Sequence, residues 1–164
     1  MAIYRCEIKT VSRSQGASSV AGAAYRAGLD LTNELTGERH DYTRKTGVLA
    51  SGIVAPPGAP GWAQDAARLW NAAEAAETRK NSVVAREFLV SLPHELTEGQ
   101  RIELARDLTA ELVGRFSFAA MFAVHAPDKH ADERNHHVHI LATTRAMGAA
   151  GLGAKTRELD DRKS

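Results

Sequence analysis

The sequence predicts a single α+β domain, in which helices pack on one face of a mostly antiparallel sheet. A chain of 164 residues is long enough for about one domain with a substantial core. Short apolar runs alternate with segments of helical periodicity, in the order strand, helix, strand, helix, strand, helix, strand, strand. The last two strands flank one polar loop, residues 126–135, and we expect them to form an antiparallel hairpin.

Local patterning predicts the first strand and the first helix. Residues 3–10 alternate in polarity, as expected of a strand with two different faces. A helix is predicted over residues 20–27, because Ser18 or Ser19 can serve as its N-cap and Gly28 can end it. The alanine-rich composition of this helix allows other parts of the chain to approach it closely.

The rest of the chain holds two more helices and several strands. Residues 29–48 are polar and rich in turns, which indicates a two-stranded or irregular excursion. The patterns then predict a strand over 48–54, a helix over 62–79, a strand over 83–92 and a helix from the Thr97 cap to 113. Two final strands are predicted over 116–125 and 138–144.

Composition excludes several classes of protein. The chain has one cysteine, Cys6, which rules out a disulfide framework and suits a reducing cytoplasm. No apolar run is long enough to span a membrane as a helix, and the first residues resemble a strand more than a signal peptide. The net charge is +1, so any surface that binds nucleic acid must be a local patch.

A histidine-rich segment predicts the functional centre. His137 and His139 flank one apolar residue in a strand, so their side chains share a face, roughly 7 Å apart at Cα. His125 ends the preceding strand, and antiparallel pairing brings it to the same point. Three neutral imidazoles that converge in this way form a metal site with positions open for a substrate. A single histidine in a strand is more often structural, and we assign three others to surface or loop positions: His40, His94 and His130.

Two features near the N-terminus have both a functional and an ordinary interpretation. The small polar loop 11–19 contains Arg13 and precedes a helix N-terminus, which favours phosphate binding. The same loop is equally well explained as a flexible connector. Tyr25 lies on the alanine-rich helix, where a tyrosine is most often a core residue with its hydroxyl at the rim.

Several segments, in this order along the chain, resemble the MobA/MobL family. They are residues 1–4, residues 12–25, the strand Arg86-Glu87-Phe88 with residues 92–96 after it, and Asn135-His136-His137-Val138-His139. The resemblance covers nearly the whole chain to about Met147, and residues 154–160 are also similar to the family. This family comprises plasmid mobilisation relaxases of the MobQ class within the HUH endonucleases, which are named for a histidine–hydrophobic–histidine motif. The resemblance therefore implies an HUH relaxase-like fold.

The resemblance also implies that the protein nicks and rejoins DNA at a plasmid origin of transfer, at one site and on one strand. By this resemblance Tyr25 is the nucleophile, and a metal is held by His125, His137 and His139. Attack leaves the tyrosine joined to the 5′ phosphate, and the reverse reaction rejoins the strand without ATP. The family implies Mg²⁺ or Mn²⁺ as the working ion, although other transition metals suit imidazole ligands in a purified protein.

Further side chains are candidates for supporting roles. Glu87 lies in a strand that can neighbour the histidine strands. There it could accept the spare ring N–H of a ligand, act as a base toward Tyr25, or be an edge-strand charge. His136 is left out of the ligand set because it points to the opposite face. Single-stranded DNA can stack on Tyr4 or Tyr42. The candidate phosphate contacts are Arg5, Lys9, Arg13 and Arg26.

Three other functions fit parts of this pattern. A replication initiator or transposase shares the two-histidine motif, but its tyrosine follows the motif, whereas no tyrosine follows Thr144 here. A metal-dependent nuclease would use a metal-bound water and form no covalent intermediate, with Tyr25 structural. A non-catalytic module for single-stranded DNA would use a structural zinc, although such sites normally have four protein ligands and three are predicted here.

The resemblance also suggests the domain organisation and the cellular setting. We expect residues 1–147 to form the relaxase domain, and residues 148–164 to be an exposed tail or the start of a truncated C-terminal region. The expected partners are single-stranded plasmid DNA at the origin of transfer, accessory mobilisation proteins, and a coupling protein and type IV secretion system. We expect a bacterial, plasmid-encoded protein in the cytoplasm.

Overall fold

The computed structural model describes residues 5–128 and 132–160, without the side chains of residues 158 and 160. The predictions for the start of the first strand, for stacking on Tyr4 and for His130 therefore lie outside the described residues. Within the described ranges, none of the helices combines the length and the apolar character needed to cross a membrane.

Three α-helices and eight strands follow one another in the described part of the chain. In order they are β1 (Cys6–Ser12), α1 (Ser19–Ala27), β2 (Asp30–Thr32), β3 (Arg39–Asp41), β4 (Val48–Val54), α2 (Ala66–Ala75), β5 (Val83–Ser91), α3 (Glu98–Phe116), β6 (Phe118–His125), β7 (His137–Gly148) and β8 (Gly151–Lys155). Short 3-10 helices lie at Arg13–Gln15, Gly61–Gln64 and Arg157–Asp160. The predicted order of the main elements is confirmed, and the excursion after α1 is the two-stranded ribbon β2–β3.

The main sheet is antiparallel between all neighbouring strands that the structure describes. Its order is β1-β5-β7-β6-β4, and β8 pairs with the end of β7. The predicted hairpin of β6 and β7 forms, and both strands lie in the interior of the sheet. The α+β class with a mostly antiparallel sheet is thus confirmed.

The helices cover both faces of the sheet, so the prediction that they pack on one face is wrong. One apolar core joins α1 and α2 to side chains such as Met121 and Leu141. A second core joins α3 to the opposite face, through side chains such as Phe122 and Ile140. Every residue of β6 is buried. Its apolar sequence, with no alternation of polar residues, is typical of a strand that is covered on both faces.

Capping residues fix where two of the helices begin and end. Ser18 accepts a hydrogen bond from the Ala21 N–H, and Gly28 adopts a φ of 68°, so α1 has the boundaries predicted from these caps. The side chains of Thr97 and Gln100 form a reciprocal capping box at the start of α3. These ends are set by interactions within a few residues, which is why local sequence predicts them.

Three helix boundaries differ from the prediction: the end of α3, the start of α2, and the end of α2, which lies at Ala75 rather than at 79. α3 continues to Phe116 before Ser117 ends it in a left-handed conformation, so β6 begins after this residue rather than at 116. The helix predicted over 62–79 is interrupted, because the Asp65 side chain accepts hydrogen bonds from two following N–H groups and starts α2 there. Apolar periodicity did not reveal the break, since Trp62 in the preceding 3-10 helix also packs against the core.

Part of the segment after residue 147 belongs to the fold, so the expectation of an exposed tail is wrong for residues 151–156. β8 pairs with β7 through a tight turn over residues 149–150, and Gly151, directly after the turn, has a φ of 101°, a conformation that favours glycine. Thr156 is 4% exposed, and its hydroxyl accepts a hydrogen bond of 2.8 Å from Arg86. Glycine-rich composition here marks a tight hairpin rather than a flexible extension.

A buried charge pair joins the segment before α1 to α2. Glu74 is 1% exposed, and its carboxylate accepts hydrogen bonds from the Arg13 guanidinium at 2.9 and 3.3 Å. The backbone N–H and the hydroxyl of Ser19 also donate to it, both at 2.7 Å. A buried carboxylate requires partners of this kind, because an uncompensated charge in the interior is strongly destabilising.

Replacing Arg13 with methionine is expected to lower the free energy of unfolding by about 3 kcal/mol, because the buried charge of Glu74 loses its cation. Urea unfolding followed by circular dichroism measures this change. The double variant Arg13→Met/Glu74→Gln should recover part of the loss, since it removes the uncompensated charge. A loss below about 0.5 kcal/mol for Arg13→Met would show that the pair does not hold these elements together.

Candidate metal centre and active site

Three histidines converge where β6 ends and β7 begins. His125 lies opposite His137 in the strand pairing, and His139 lies opposite Ala123. The alternation of side chains places all three histidines on the face of the sheet that α1 covers. The ring centroids are 4.5 to 5.2 Å apart, and one ligand nitrogen from each ring lies within 4.8 Å of the others. The structure thus brings together the three histidines that the sequence analysis grouped.

Each of the three rings has one nitrogen beside a fixed acceptor. The pairs are His139 Nδ1 with the Glu87 carboxylate at 2.7 Å, His137 Nδ1 with the Asn135 carbonyl at 3.0 Å, and His125 Nε2 with the Arg26 carbonyl at 2.6 Å. A carbonyl or carboxylate oxygen only accepts, so each of these nitrogens carries the proton. The second nitrogen of each ring is then left with a lone pair that can bind a metal.

Glu87 connects the histidine cluster to α1. Its Oε2 atom accepts hydrogen bonds from His139 and from the Arg26 guanidinium, and its side chain is 5% exposed. Burial raises the pKa of Glu87, but hydrogen bonds from His139 and Arg26 and the positive charge of Arg26 outweigh this effect and hold the pKa at about 2. The carboxylate is therefore ionised at neutral pH.

Burial keeps two of the histidines neutral at physiological pH. Desolvation lowers the pKa of His125 to about 4, against the opposing effect of its hydrogen bond to the Arg26 carbonyl. Desolvation also lowers the pKa of His137, against the effect of its hydrogen bond to Asn135. The neutral imidazole is the form that binds a metal, so His125 and His137 can bind one without a change of pH.

The three donors suit a divalent metal ion. An ion with bonds of about 2.1 Å needs ligand nitrogens about 3 to 4 Å apart, and a span of at most 4.8 Å is close to that requirement. Three protein ligands leave positions open for a substrate, as in catalytic rather than structural sites. His125, His137 and His139 could therefore hold a metal ion.

Tyr25 lies at the end of α1, beside the histidines. It lines the same cleft as the three histidines, a space of about 670 Å³ bounded by residues 45–47 and 126–128. Tyr25 is 51% exposed, so it is not the core residue that its alanine-rich helix suggests. The Nζ atom of Lys45 lies 3.5 Å from the centroid of the Tyr25 ring and donates a hydrogen bond of 2.9 Å to the Tyr25 carbonyl. Tyr42 packs edge-on against the same ring.

Comparison with known proteins establishes the family. Residues 17–164 match the model of the MobA/MobL family. The chain belongs to the MobA/MobL family. It is 42% identical to "Mobilization protein MobL" of Acidithiobacillus ferridurans, over 98% of the chain and 47% of that protein. It is 36% identical to "Probable mobilization protein MobA" of Bifidobacterium longum, over 90% of the chain and 26% of that protein.

A solved structure also resembles this MobA/MobL chain. It is described as "Molecular Basis of Vancomycin Resistance Transfer in Staphylococcus aureus", is 30% identical, and aligns with a TM-score of 0.84 over 92% of the chain and 75% of that chain. The family that the sequence motifs predicted is confirmed. The chain spans less than half the length of the two curated relatives named above.

Two of the four predicted phosphate contacts are engaged inside this MobA/MobL fold. The guanidinium of Arg13 donates to Glu74 and to nearby carbonyls, so Arg13 is an internal anchor and its prediction as a phosphate contact is corrected. Arg26 donates to Glu87 and to the Gly22 carbonyl, and its side chain is 20% exposed. Each arginine compensates the charge of a buried carboxylate. A local pattern of basic residues does not reveal such a partner.

The other two predicted contacts lie at the protein surface. The side chains of Arg5 and Lys9 are 48% and 57% exposed, and both form ion pairs with Glu7. Exposed ion pairs are weak, so either cation can exchange Glu7 for a phosphate. The phosphate contacts of Arg5 and Lys9 therefore stay predictions. The three histidines His40, His94 and His136 lie outside the metal-capable group in the described part of the chain.

Sequence reasoning missed Lys45. It lies in the turn-rich loop between β3 and β4, where a basic side chain near a glycine is too common to indicate a function. Its place over Tyr25 depends on how this loop packs against α1, which is a tertiary contact. Burial lowers the pKa of Lys45, and the positive charge of Arg26 adds to this effect.

Removing the acceptor of His139 is expected to weaken metal binding. Glu87→Ala should lower the affinity for Mn²⁺ about 10- to 100-fold, because the ring loses the partner that fixes its orientation and protonation. His137→Ala/His139→Ala should remove most of the binding, because two of the three donors are lost. Isothermal titration of metal-free protein with Mn²⁺ measures both effects.

Two matched variants control for unspecific effects on metal binding. Glu111→Ala removes a carboxylate that is 68% exposed on α3, and His94→Ala removes a histidine outside the cluster. Both should bind Mn²⁺ like the wild type. An unchanged affinity in His137→Ala/His139→Ala would mean that the ion binds elsewhere, and an unchanged affinity in Glu87→Ala would mean that the carboxylate does not support the site.

Proposed function

We propose that this chain is the nicking and rejoining domain of a plasmid mobilisation relaxase, which acts on one DNA strand at an origin of transfer. The observation that carries the proposal is the cleft that Tyr25 shares with three convergent histidines, in a member of the MobA/MobL family. Relatives named as mobilization proteins MobL and MobA favour the same activity. We assign the activity to residues 1–147, with β8 completing the sheet.

Tyr25 is the proposed nucleophile. Its hydroxyl oxygen attacks the scissile phosphorus and forms an O–P bond, while the bond from phosphorus to the 3′ oxygen of the preceding nucleotide breaks. The phenol proton passes to water, and the departing 3′ oxygen takes up a proton to become a free hydroxyl. In the reverse direction this 3′ hydroxyl attacks the phosphotyrosine and releases Tyr25. One phosphate ester replaces another in each direction, so rejoining requires no ATP.

Lys45 is placed to assist the nucleophile. Its ammonium group lies over the Tyr25 ring and lines the same cleft, so it stabilises negative charge that develops there during attack. Its hydrogen bond to the Tyr25 carbonyl ties the loop of residues 45–47 to the end of α1. This contact holds a half-exposed tyrosine in the cleft without burying it, which leaves the ring accessible to DNA.

Glu87 is proposed to orient a metal ligand rather than to act as a base. A carboxylate with a pKa of about 2 is too weak a base to remove the proton of a phenol efficiently. Its hydrogen bond with His139 Nδ1 fixes the orientation and the tautomer of the neutral ring, in which Nε2 has the lone pair for a metal. Arg26 holds the carboxylate in place and shares this role.

A divalent cation is proposed at the three histidines. Bound there, it supplies positive charge that stabilises the negative charge on the scissile phosphate. Family resemblance favours Mg²⁺ or Mn²⁺ as the working ion. Imidazole nitrogens favour transition ions over Mg²⁺, whose preferred ligands are oxygens, so we expect the purified protein to carry a transition ion.

The proposed substrate is single-stranded plasmid DNA at the origin of transfer, in the bacterial cytoplasm. Tyr42 is 36% exposed beside the cleft and offers a ring on which a base can stack. A relative named "Conjugal transfer protein TraA", from Agrobacterium fabrum, favours partners in a transfer apparatus. We propose accessory mobilisation proteins, a coupling protein and a type IV secretion system as these partners.

Tyr25→Phe is expected to abolish nicking and covalent adduct formation, because only the attacking oxygen is lost. Its affinity for single-stranded origin DNA should stay within about threefold of the wild type, since the ring remains available for stacking. The assay incubates the protein with Mn²⁺ and a labelled single strand that carries the transfer origin. Denaturing electrophoresis detects the adduct, and mass spectrometry maps it.

Tyr42→Phe is the matched control, since it removes a hydroxyl from the neighbouring ring and should still form the adduct. An adduct in Tyr25→Phe would place the nucleophile elsewhere. Nicking by the wild type without any adduct would indicate a metal-dependent nuclease. DNA binding without cleavage would indicate a non-catalytic binding module.

A further inference from the structure

Strand β1 forms one edge of the main sheet. It pairs with β5 on its inner side, and none of the other described strands pairs with its outer side. The Ser91 N–H donates to the Arg5 carbonyl, so these two residues form a hydrogen-bonded pair that continues the register of β1 with β5. Because backbone groups alternate sides along an antiparallel strand, the N–H and C=O groups of Cys6, Ile8 and Thr10 lie on the outer side. Another strand can therefore pair with this edge.

The outer edge of β1 is accessible along most of its length. Four residues of the strand are exposed, which are Cys6, Ile8, Lys9 and Thr10. Ile8 is 55% exposed and lies opposite Phe88, which belongs to the core beneath α3. The Ile8 side chain is therefore on the α3 face of the sheet, at a margin that the helix leaves open. An apolar side chain in the middle of an exposed edge favours pairing with a further strand.

The other face of β1 has charges of alternating sign. Glu7 forms ion pairs with Arg5 at 2.7 Å and with Lys9 at 3.4 Å, and the three side chains are 38% to 57% exposed. Exposed pairs of this kind are weak, so their members can take new partners. Charges on an edge strand usually prevent pairing. Here, however, Glu7 and Lys9 lie symmetrically about Ile8, so both charges can be compensated when the strand pairs with itself.

We propose that β1 is a self-association surface, on which two copies of this chain pair antiparallel about a two-fold axis at Ile8. In this register Ile8 lies opposite its counterpart in the second copy, and Cys6 lies opposite Thr10 of the second copy. Each of these is a hydrogen-bonded pair, because the backbone groups of all three residues lie on the outer side of β1. The two Ile8 side chains then cover each other on the α3 face.

The same register brings opposite charges together. Each Glu7 lies directly opposite Lys9 of the second copy, so two ion pairs cross the interface on the face that does not contain Ile8. Moving the axis by one residue places Glu7 opposite Glu7 or Lys9 opposite Lys9, and like charges at directly opposite positions are destabilising. Charge complementarity thus selects a second copy of β1 as the partner, in the register centred on Ile8.

Pairing through β1 joins the two main sheets into one. A two-fold axis perpendicular to this sheet keeps both histidine-bearing faces on the same side. Because β7 is the third strand from the edge, the two β7 strands lie five strand spacings apart, which is roughly 24 Å. The interface thus leaves both histidine clusters uncovered, and the dimer does not depend on the proposed activity.

Charge reversal tests the interface. One strand edge is a small contact, so we expect a weak dimer, whose dissociation constant is measured by sedimentation equilibrium at high protein concentration. Glu7→Lys and Lys9→Glu each turn two attractive pairs into repulsive ones, and each should raise the dissociation constant about tenfold or more. Glu7→Lys/Lys9→Glu restores opposite charges across the axis and should dimerise like the wild type.

A mixture of the two single variants separates this interface from an unspecific effect of charge. Copies of Glu7→Lys repel one another, as do copies of Lys9→Glu, but the two together should form a heterodimer with the affinity of the wild type. Glu111→Lys and Arg115→Glu are the matched controls, because they reverse the charges of an exposed pair on α3. Both should dimerise like the wild type, and circular dichroism shows whether each variant is folded.

A disulfide across the axis tests the register. In a Cys6→Ser background, Ile8→Cys places two thiols at a hydrogen-bonded pair, about 5.5 Å apart at Cα, which suits a disulfide. Mild oxidation should link two copies of Cys6→Ser/Ile8→Cys. Cys6→Ser/Thr10→Cys is the matched control, since its thiols are displaced by four residues, or roughly 13 Å, along the strands and should stay unlinked.

Three results would overturn this dimer. The first is a wild type that stays monomeric up to about 1 mM protein. The second is an equal dissociation constant in the wild type, Glu7→Lys and Lys9→Glu, which would place the association on another surface. The third is a disulfide through Thr10→Cys instead of Ile8→Cys, which would indicate a different register. The Tyr25 adduct tests the nicking activity separately, so either proposal can fail alone.

Discussion

The buried carboxylate of Glu87 is the group on which the geometry of the candidate site depends. It accepts hydrogen bonds from His139 on β7 and from the Arg26 guanidinium on α1. The carbonyl of Arg26 also accepts the N–H of His125, and Arg26 directly follows Tyr25 in the chain. One residue of α1 therefore holds two of the three histidines, through its backbone and through Glu87. A buried ion pair adds little to stability, but with every partner satisfied it fixes geometry.

The surrounding structure supports this connection. Gly22 leaves room for the Arg26 side chain, since an added Cβ would lie 3.0 Å from its Nη1 atom. The cap of Ser18 and the contacts of Glu74 with Ser19 hold the start of α1. The histidines come from interior strands of the sheet, whereas Tyr25 lies at the half-exposed end of a helix. The rigid candidate ligands and the accessible candidate nucleophile thus come from different elements, which Glu87 joins.

The fold and the histidine cluster could be predicted because their signals are local. Alternation along β7 places His137 and His139 on one face of the sheet, and antiparallel pairing of β7 with β6 brings His125 to them. The acidic partners of Arg13 and Arg26 were not predicted, because each lies 61 residues later in the chain and local sequence does not show which acid will meet a basic residue. Lys45 was missed for the same reason, since its contact with Tyr25 exists only after the loop packs on α1. The covering of the second face of the sheet could not be predicted either, because it depends on how α3 packs.

The link from Arg26 through Glu87 to the candidate metal ligands can be measured directly by a double-mutant cycle. Mn²⁺ binding is compared by isothermal titration in the metal-free wild type, Arg26→Ala, Glu87→Ala and the double variant. Arg26→Ala keeps the backbone carbonyl that accepts from His125, so the cycle isolates the side chain. We expect Arg26→Ala to weaken Mn²⁺ binding, and the double variant to bind no more weakly than Glu87→Ala, because Arg26 acts through that carboxylate. Additive losses, or a wild-type affinity in Arg26→Ala, would contradict this link.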